Sequence, residues 1–182
     1  MRYQTVAVTN DPIPRMPQPR SGTFHAIVRA GDSVTPYVRM GNGKPVLILR
    51  QSGRQSALWS MILTGLSTTN RVMMPKTSPE LATLSEWFAQ FHDGLGIGPV
   101  RVVADERYGL AVLRLALLHG DRVARVVILS ESDGGSDLDG TLSGATSDTH
   151  PVLFMAHDRS ADDVLMETQE FLLAETPLAG RT

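Results

Sequence analysis

Five short runs made almost wholly of apolar residues constrain this chain more than any other feature. They are KPVLILR at 44–50, RVMMP at 71–75, PVRVVA at 99–104, ARVVILS at 124–130 and PVLFMA at 151–156. A strand with one wet face alternates polar and apolar residues, so continuous apolar runs belong to strands covered on both faces. Helix-patterned segments lie between most of them. Residues 56–66 place Leu58, Trp59, Ile62, Leu63 and Leu66 at helical spacing. Ser78-Pro79-Glu80 predicts a second helix, with serine as N-cap, proline at the first helical position, and Leu81, Leu84, Phe88 and Phe91 as its apolar stripe. Gly94 and Gly96 are expected to stop it. Residues 109–118 form a third helix ended by Gly120, and 162–173 a fourth with Val164, Leu165, Phe171 and Leu172 to one side. Buried strands alternating with helices predict an α/β domain, a mostly parallel sheet with helices on both faces.

Two shorter strand candidates precede these runs. FHAIVRA at 24–30 and SVTPYVRM at 33–40 flank Gly31-Asp32, a hairpin turn pair, and Pro36 puts the second strand near a sheet edge or on a bulge. Gly41-Asn42-Gly43 then turns the chain into the first buried run. Further upstream, YQTVAVT at 3–9 favours a strand, and the four prolines of 11–20 block helix and central strand alike. That stretch reads as a stiff extended arm or a disordered tail. The chain therefore divides into an N-terminal strand and proline-rich arm at 1–22 and a folded domain at 23–182. Residues 131–149, rich in Gly, Ser, Thr and Asp, read as a loop.

Composition removes several function classes. At 182 residues with 42% hydrophobic content, one core can form without staples. The net charge of −2, with scattered cations, gives no electrostatic footprint for nucleic acid or for a membrane surface. The absence of cysteine excludes disulfides, thiolate metal sites and cysteine nucleophiles. No apolar stretch suits a signal peptide or a bilayer span, so a cytoplasmic protein is expected. His25, His92, His119 and His150 lack metal-ligand spacing, and Asp133 and Asp137 lack further oxygen ligands at regular intervals. No metal and no cofactor are expected. Tyr37, Trp59 and Tyr108 read as packing residues, and the methionines, Met73-Met74 above all, as core filler.

Over 24–173 the order of segments resembles the α/β-hydrolase family. GNGKPVLIL at 41–49 is similar to the strand leading to that family's oxyanion loop, with Trp59 where a tryptophan often follows. LATLSEWFAQFHDGLGIGPVRVVA at 81–104 resembles the helix and strand that deliver the nucleophile elbow. LRLALLHGDRVARVVIL at 113–129, including Asp121-Arg122-Val123, looks like the following helix, turn and strand. PVLFMAHDRS at 151–160 is similar to the strand that ends at the catalytic acid. The resemblance implies a reduced three-layer sandwich without lid, last strand or catalytic triad.

Residue by residue, the positions that would carry hydrolysis are changed. A nucleophile elbow needs small residues around a strained strand-to-helix turn. Here the stretch 103–109 reads Val-Ala-Asp-Glu-Arg-Tyr-Gly. Glu106 takes the nucleophile position, Ala104 and Tyr108 replace glycines, and only Gly109 is kept. A carboxylate can act as a nucleophile, but it needs a base, and His157 is the single histidine after Pro151. Only ETPLAGRT follows the final helix, so the last strand and its histidine loop are expected to be missing. The acid position falls on Ser160, with Asp158 two residues early, while Asp162 and Asp163 suit a helix start. The family's His-Gly pair aligns with Arg50-Gln51, Gly53 partly restoring the turn, and Lys76 stands where an aspartate is common. The lid shrinks to 131–149.

No catalytic residue is therefore expected. Arg50, Gln51, Lys76, Glu106 and Arg107 become ligand-binding candidates, since parallel sheets bind ligands at the carboxyl ends of their strands. Pairing of Arg50 with Glu106 would simply plug that end. Three functions stay open. One is a non-catalytic scaffold, a homo-oligomer or the subunit of a partner complex, whose run at 151–156 is an edge paired by a second copy or by 3–9. Another is a binder of a small polar or anionic ligand through Arg50 and Lys76. The last is an unorthodox hydrolase or lyase using Glu106.

Overall fold

A computed structural model describes residues 22–30, 33–51, 56–130, 151–155 and 160–174. Each apolar run is a strand. After the hairpin of β1 (Thr23–Ala30) and β2 (Ser33–Met40) come β3 (Lys44–Leu49), β4 (Asn70–Pro75), β5 (Val100–Asp105), β6 (Val123–Leu129) and β7 (Val152–Met155). They form one sheet in the order β1-β2-β4-β3-β5-β6-β7. The strands from β3 to β7 run parallel, and β2 joins β4 antiparallel. The hairpin register, Thr23 opposite Met40 through Ala30 opposite Ser33, is the one expected from Gly31-Asp32. Pro36 lies one strand in from the edge, opposite Ile27, and its carbonyl accepts the Lys76 N–H at 2.9 Å. Gly41 has φ +66°, and a Cβ there would sit 2.1 Å from the Ser67 carbonyl oxygen. The turn into β3 is thus pressed against the backbone of Ser67 and Asn70, where only glycine fits.

Helices cover both faces. On one, α2 (Leu84–Leu95) and α3 (Gly109–Leu118) bury Leu84, Phe88, Phe91, Val112 and Leu115 against Leu47, Leu49, Val102, Ala104, Val126 and Ile128. On the other, α1 (Ala57–Ser67) and α4 (Ala161–Leu173) bury Trp59, Ile62, Leu66, Val164 and Leu172 against Val46, Ile48, Val103, Val127 and Leu129. This period-two division of each strand between two apolar layers is why the runs are apolar throughout. Ser56 caps α1, its hydroxyl accepting the Trp59 N–H at 3.2 Å. Gly65 lets α4 close in: a Cβ there would lie 2.4 Å from Leu165 Cδ2, and the Gln169 amide donates to the Gly65 carbonyl at 3.0 Å.

Helix α2 departs from expectation at both ends. Ser78 does not cap it; its hydroxyl donates to the Arg50 carbonyl at 3.0 Å instead. A 3₁₀ turn at Leu81–Thr83 intervenes, and the α-helix starts at Leu84. Leu81 is accordingly exposed while Leu84, Phe88 and Phe91 are buried. Gly94 lies inside the helix rather than ending it. A Cβ there would meet Val28 Cγ2 at 2.6 Å and the Arg29 carbonyl at 2.8 Å, so its glycine serves close packing of α2 on β1. Gly96 is the stop: it takes φ +58°, and its N–H reaches the carbonyls of His92 and Asp93. The expected features at 1–21, at Gly53, at 131–149 and at His157 and Asp158 lie outside the described residues. Among the described residues no helix is long and apolar enough to cross a membrane.

Candidate functional site

Because β4, β3, β5 and β6 are consecutive in the sheet and parallel, the residues that follow them meet at one end. Lys76 follows β4, Arg50 and Gln51 follow β3, Glu106 and Arg107 follow β5, and Ser130 follows β6. The five candidates are therefore gathered as expected. Lys76, Gln51 and Arg107 are exposed, and Arg50 and Glu106 are half-buried.

The centre of the cluster is a residue that motif reading passed over. Asp105, the last residue of β5, is buried at 7% exposure. Its carboxylate accepts the Gln51 N–H at 2.7 Å and the Tyr108 N–H at 3.3 Å. One side chain thus caps the 3₁₀ turn Glu106–Tyr108, which runs directly into α3, and ties the end of β3 to it. Burial pushes the Asp105 carboxyl above its ordinary value, opposed by hydrogen bonds from the backbone of Gln51, Tyr108 and Arg107 and by the Arg107 charge. An aspartate immediately before a helix-patterned segment is an N-cap signal, and that signal was available in the sequence.

The bend itself is relaxed. Asp105 has φ −74° and ψ 164°, Tyr108 φ −86° and ψ −7°, and no described non-glycine residue has positive φ. The strained turn that lifts a nucleophile clear of the sheet is absent from these residues. Tyr108 is compatible with this bend because its side chain leaves the turn for the core. It is 2% exposed, and its hydroxyl donates to the Pro79 carbonyl at 2.7 Å. Burial raises the phenol's pKa above its ordinary value, with Ser78 acting in the opposite sense, so it remains a neutral donor.

Glu106 accepts a hydrogen bond from the hydroxyl of Ser130, a residue buried at the end of β6 whose N–H continues the sheet to the Met155 carbonyl. The Arg50 guanidinium lies over the Trp59 ring, 5.9 Å from its centroid. Trp59 is a core residue, as expected. Ser160, at the acid position, is the N-cap of α4: its hydroxyl accepts the Asp163 N–H at 3.2 Å and donates to the Asp163 carboxylate at 2.6 Å. Asp162 and Asp163 occupy the first turn of that helix, where its dipole favours them. The described histidines sit elsewhere. His92 contacts the Gly98 carbonyl, His119 the Ser85 hydroxyl, and His25 lies on β1. Among the described residues no group of three or more acidic or imidazole side chains could hold a metal ion. Chemically, the end of the sheet offers a carboxylate engaged with a hydroxyl, rimmed by cations.

Comparison with known proteins gives the fold. No family model matches the sequence, and no curated protein does. Among solved structures, a predicted CIB-like hydrolase from Thermoplasma acidophilum is similar over 84% of this chain and 99% of its own, with 11% identity and a TM-score of 0.64. Cfl2 from Burkholderia cenocepacia is similar over 70% of this chain and 56% of its own, at 14% identity and a TM-score of 0.51. The epoxide hydrolase VrEH1 from Vigna radiata shares 18% identity at a TM-score of 0.49, and this chain covers 46% of it. The chain thus spans about half the length of several structures it matches. It has the α/β-hydrolase fold, in a set of elements that accounts for nearly the whole Thermoplasma chain.

Proposed function

We propose that this α/β-hydrolase-fold chain is a non-catalytic interaction protein that assembles with itself or with a protein partner. One observation carries the reading: β5 enters α3 through an unstrained 3₁₀ turn capped by a buried aspartate, and the Glu106 carboxylate in that turn is engaged by the Ser130 hydroxyl. Two others support the assembly. β7 ends the described sheet, and such an edge pairs readily with another strand. Helix α3, packed on the neighbouring β6, turns Leu110, Leu117 and Leu118 to solvent, the last two at 63% and 69% exposure. Light scattering on the purified chain at micromolar concentration should give a dimer or larger species, and a Leu117→Lys/Leu118→Lys variant should shift it toward monomer. A monodisperse monomer in the parent opposes the proposal. So does turnover of model esters that disappears in Glu106→Gln, an outcome that would establish Glu106 as catalytic. A second reading rests on Lys76, Arg50 and Arg107 following three adjacent strands, which suits a small anionic ligand. Stabilisation by anionic metabolites, lost in Arg50→Ala, would favour it.

A further inference from the structure

Two arginines are buried side by side at the opposite, amino-terminal end of the sheet. Arg101 is the second residue of β5 and pairs in register with Arg125 of β6, and they are 7% and 5% exposed. Alternation puts both on the α1 and α4 face, with Val103 and Val127. Strands lie about 5 Å apart, and like charges directly opposite on neighbouring strands repel. Burying unpaired charges adds a desolvation cost. Nothing among the described residues offsets this fully. The ion pairs of Asp93 with His92 and with Arg122 lie away from this pair. Arg125 has the ring of Phe171 beneath it, 5.0 Å from its guanidinium carbon, in the last turn of α4. That helix end supplies the equivalent of about half a negative charge, against two positive ones. Arg101 Nε is buried with no hydrogen-bond partner. Burial and the neighbouring Arg125 both push the Arg101 pKa down, as expected for a cation lacking a counter-charge.

The geometry points to an oxyanion site at Arg101 and Arg125, taking a phosphate or carboxylate group against the paired guanidinium forks. An arginine fork presents parallel N–H donors that match two oxygens of one such group, and an acceptor there would satisfy Nε and both charges together. The proposal is independent of what happens at the carboxyl end of the sheet. Two sources of the oxyanion share this chemistry: a free ligand, or a carboxylate of the chain itself, the first after α4 being Glu175.

Thermal unfolding of the full chain in inorganic phosphate, against chloride at matched ionic strength, tests it. Phosphate at about ten times its dissociation constant should raise Tm by roughly 3–6 °C. Arg125→Lys keeps the charge but not the fork and should weaken apparent affinity at least about tenfold. Arg101→Met/Arg125→Met should abolish the response while raising Tm in phosphate-free buffer, since unpaired buried charges are gone. Arg39→Gln, a cation on the other face, should leave the response unchanged. A phosphate shift seen only in Glu175→Gln would also uphold the site and identify the chain's own carboxylate as its occupant. No phosphate-specific shift in either the parent or Glu175→Gln overturns the proposal, as does a shift retained when both arginines are methionine.

Discussion

Replacing Asp105 with alanine should loosen the carboxyl end of the sheet by an amount that follows chiefly from the loss of an acceptor for the Tyr108 and Gln51 N–H groups. The Tyr108 N–H belongs to a residue only 2% exposed, so water does not readily replace the lost acceptor. A donor stranded in that way costs about 1–3 kcal/mol. The Gln51 N–H belongs to an exposed residue, and water can take over there at little cost. Loss of the N-cap is the same Tyr108 bond counted from the helix side, so it is not added again. Removing a carboxylate held at a desolvation cost returns part of the loss. The net is about 1–2 kcal/mol, or a Tm lower by roughly 2–8 °C for a chain of this size. Urea unfolding followed by tryptophan emission reads it, since Trp59 is buried beneath Arg50, which follows β3 at the same end of the sheet. Asp105→Asn keeps one acceptor oxygen but turns an NH₂ toward a donor, and should lose about half as much. The pH dependence has a definite sign. With its pKa raised above 3.8 on folding, Asp105 contributes stability that is fully present below that value and is lost as pH rises through the folded pKa. The stability difference, parent minus Asp105→Asn, should therefore fall with rising pH and then level. An alanine variant within about 0.5 kcal/mol of the parent, or a difference that grows with pH, would refute the assigned role.

Two further substitutions probe the surroundings of this bend and the turn that sets β3. Tyr108→Phe removes only the hydroxyl bonded to Pro79, and should cost about 1 kcal/mol in denaturant unfolding; unchanged stability would mean that the carbonyl finds another donor. Gly41→Ala forces a side chain into the left-handed region and against the Ser67 carbonyl, for a loss of at least about 2 kcal/mol, and a variant as stable as the parent would contradict the observed packing of that turn.

What could be read in the sequence divides along a physical line. Strands β3 to β7 and the hairpin were legible because each is written locally: an apolar run for a strand covered on both faces, Gly31-Asp32 for a reversal. Given a strand order suggested by resemblance, the gathering of Lys76, Arg50, Glu106 and Arg107 was legible too. The start of α2 was not, because the Ser78 hydroxyl has two uses and its preference for the Arg50 carbonyl depends on a strand end far away in the chain. Asp105 offered a local cap signal, but its bond to Gln51 crosses 54 residues of sequence. Arg101 and Arg125 make the point most sharply. Each is a polar residue inside a run otherwise read as fully buried, and that contradiction is visible in PVRVVA and ARVVILS alone. Whether it marks a satisfied ion pair or a pair of like charges depends on what stands in register on the next strand, and the adjacency of β5 and β6 places cation opposite cation. A buried polar residue in a strand is thus a local signal with a non-local meaning. The same reasoning separates Glu106, whose neighbour across the sheet end is the hydroxyl of Ser130, from the two arginines, which stand opposite each other in register.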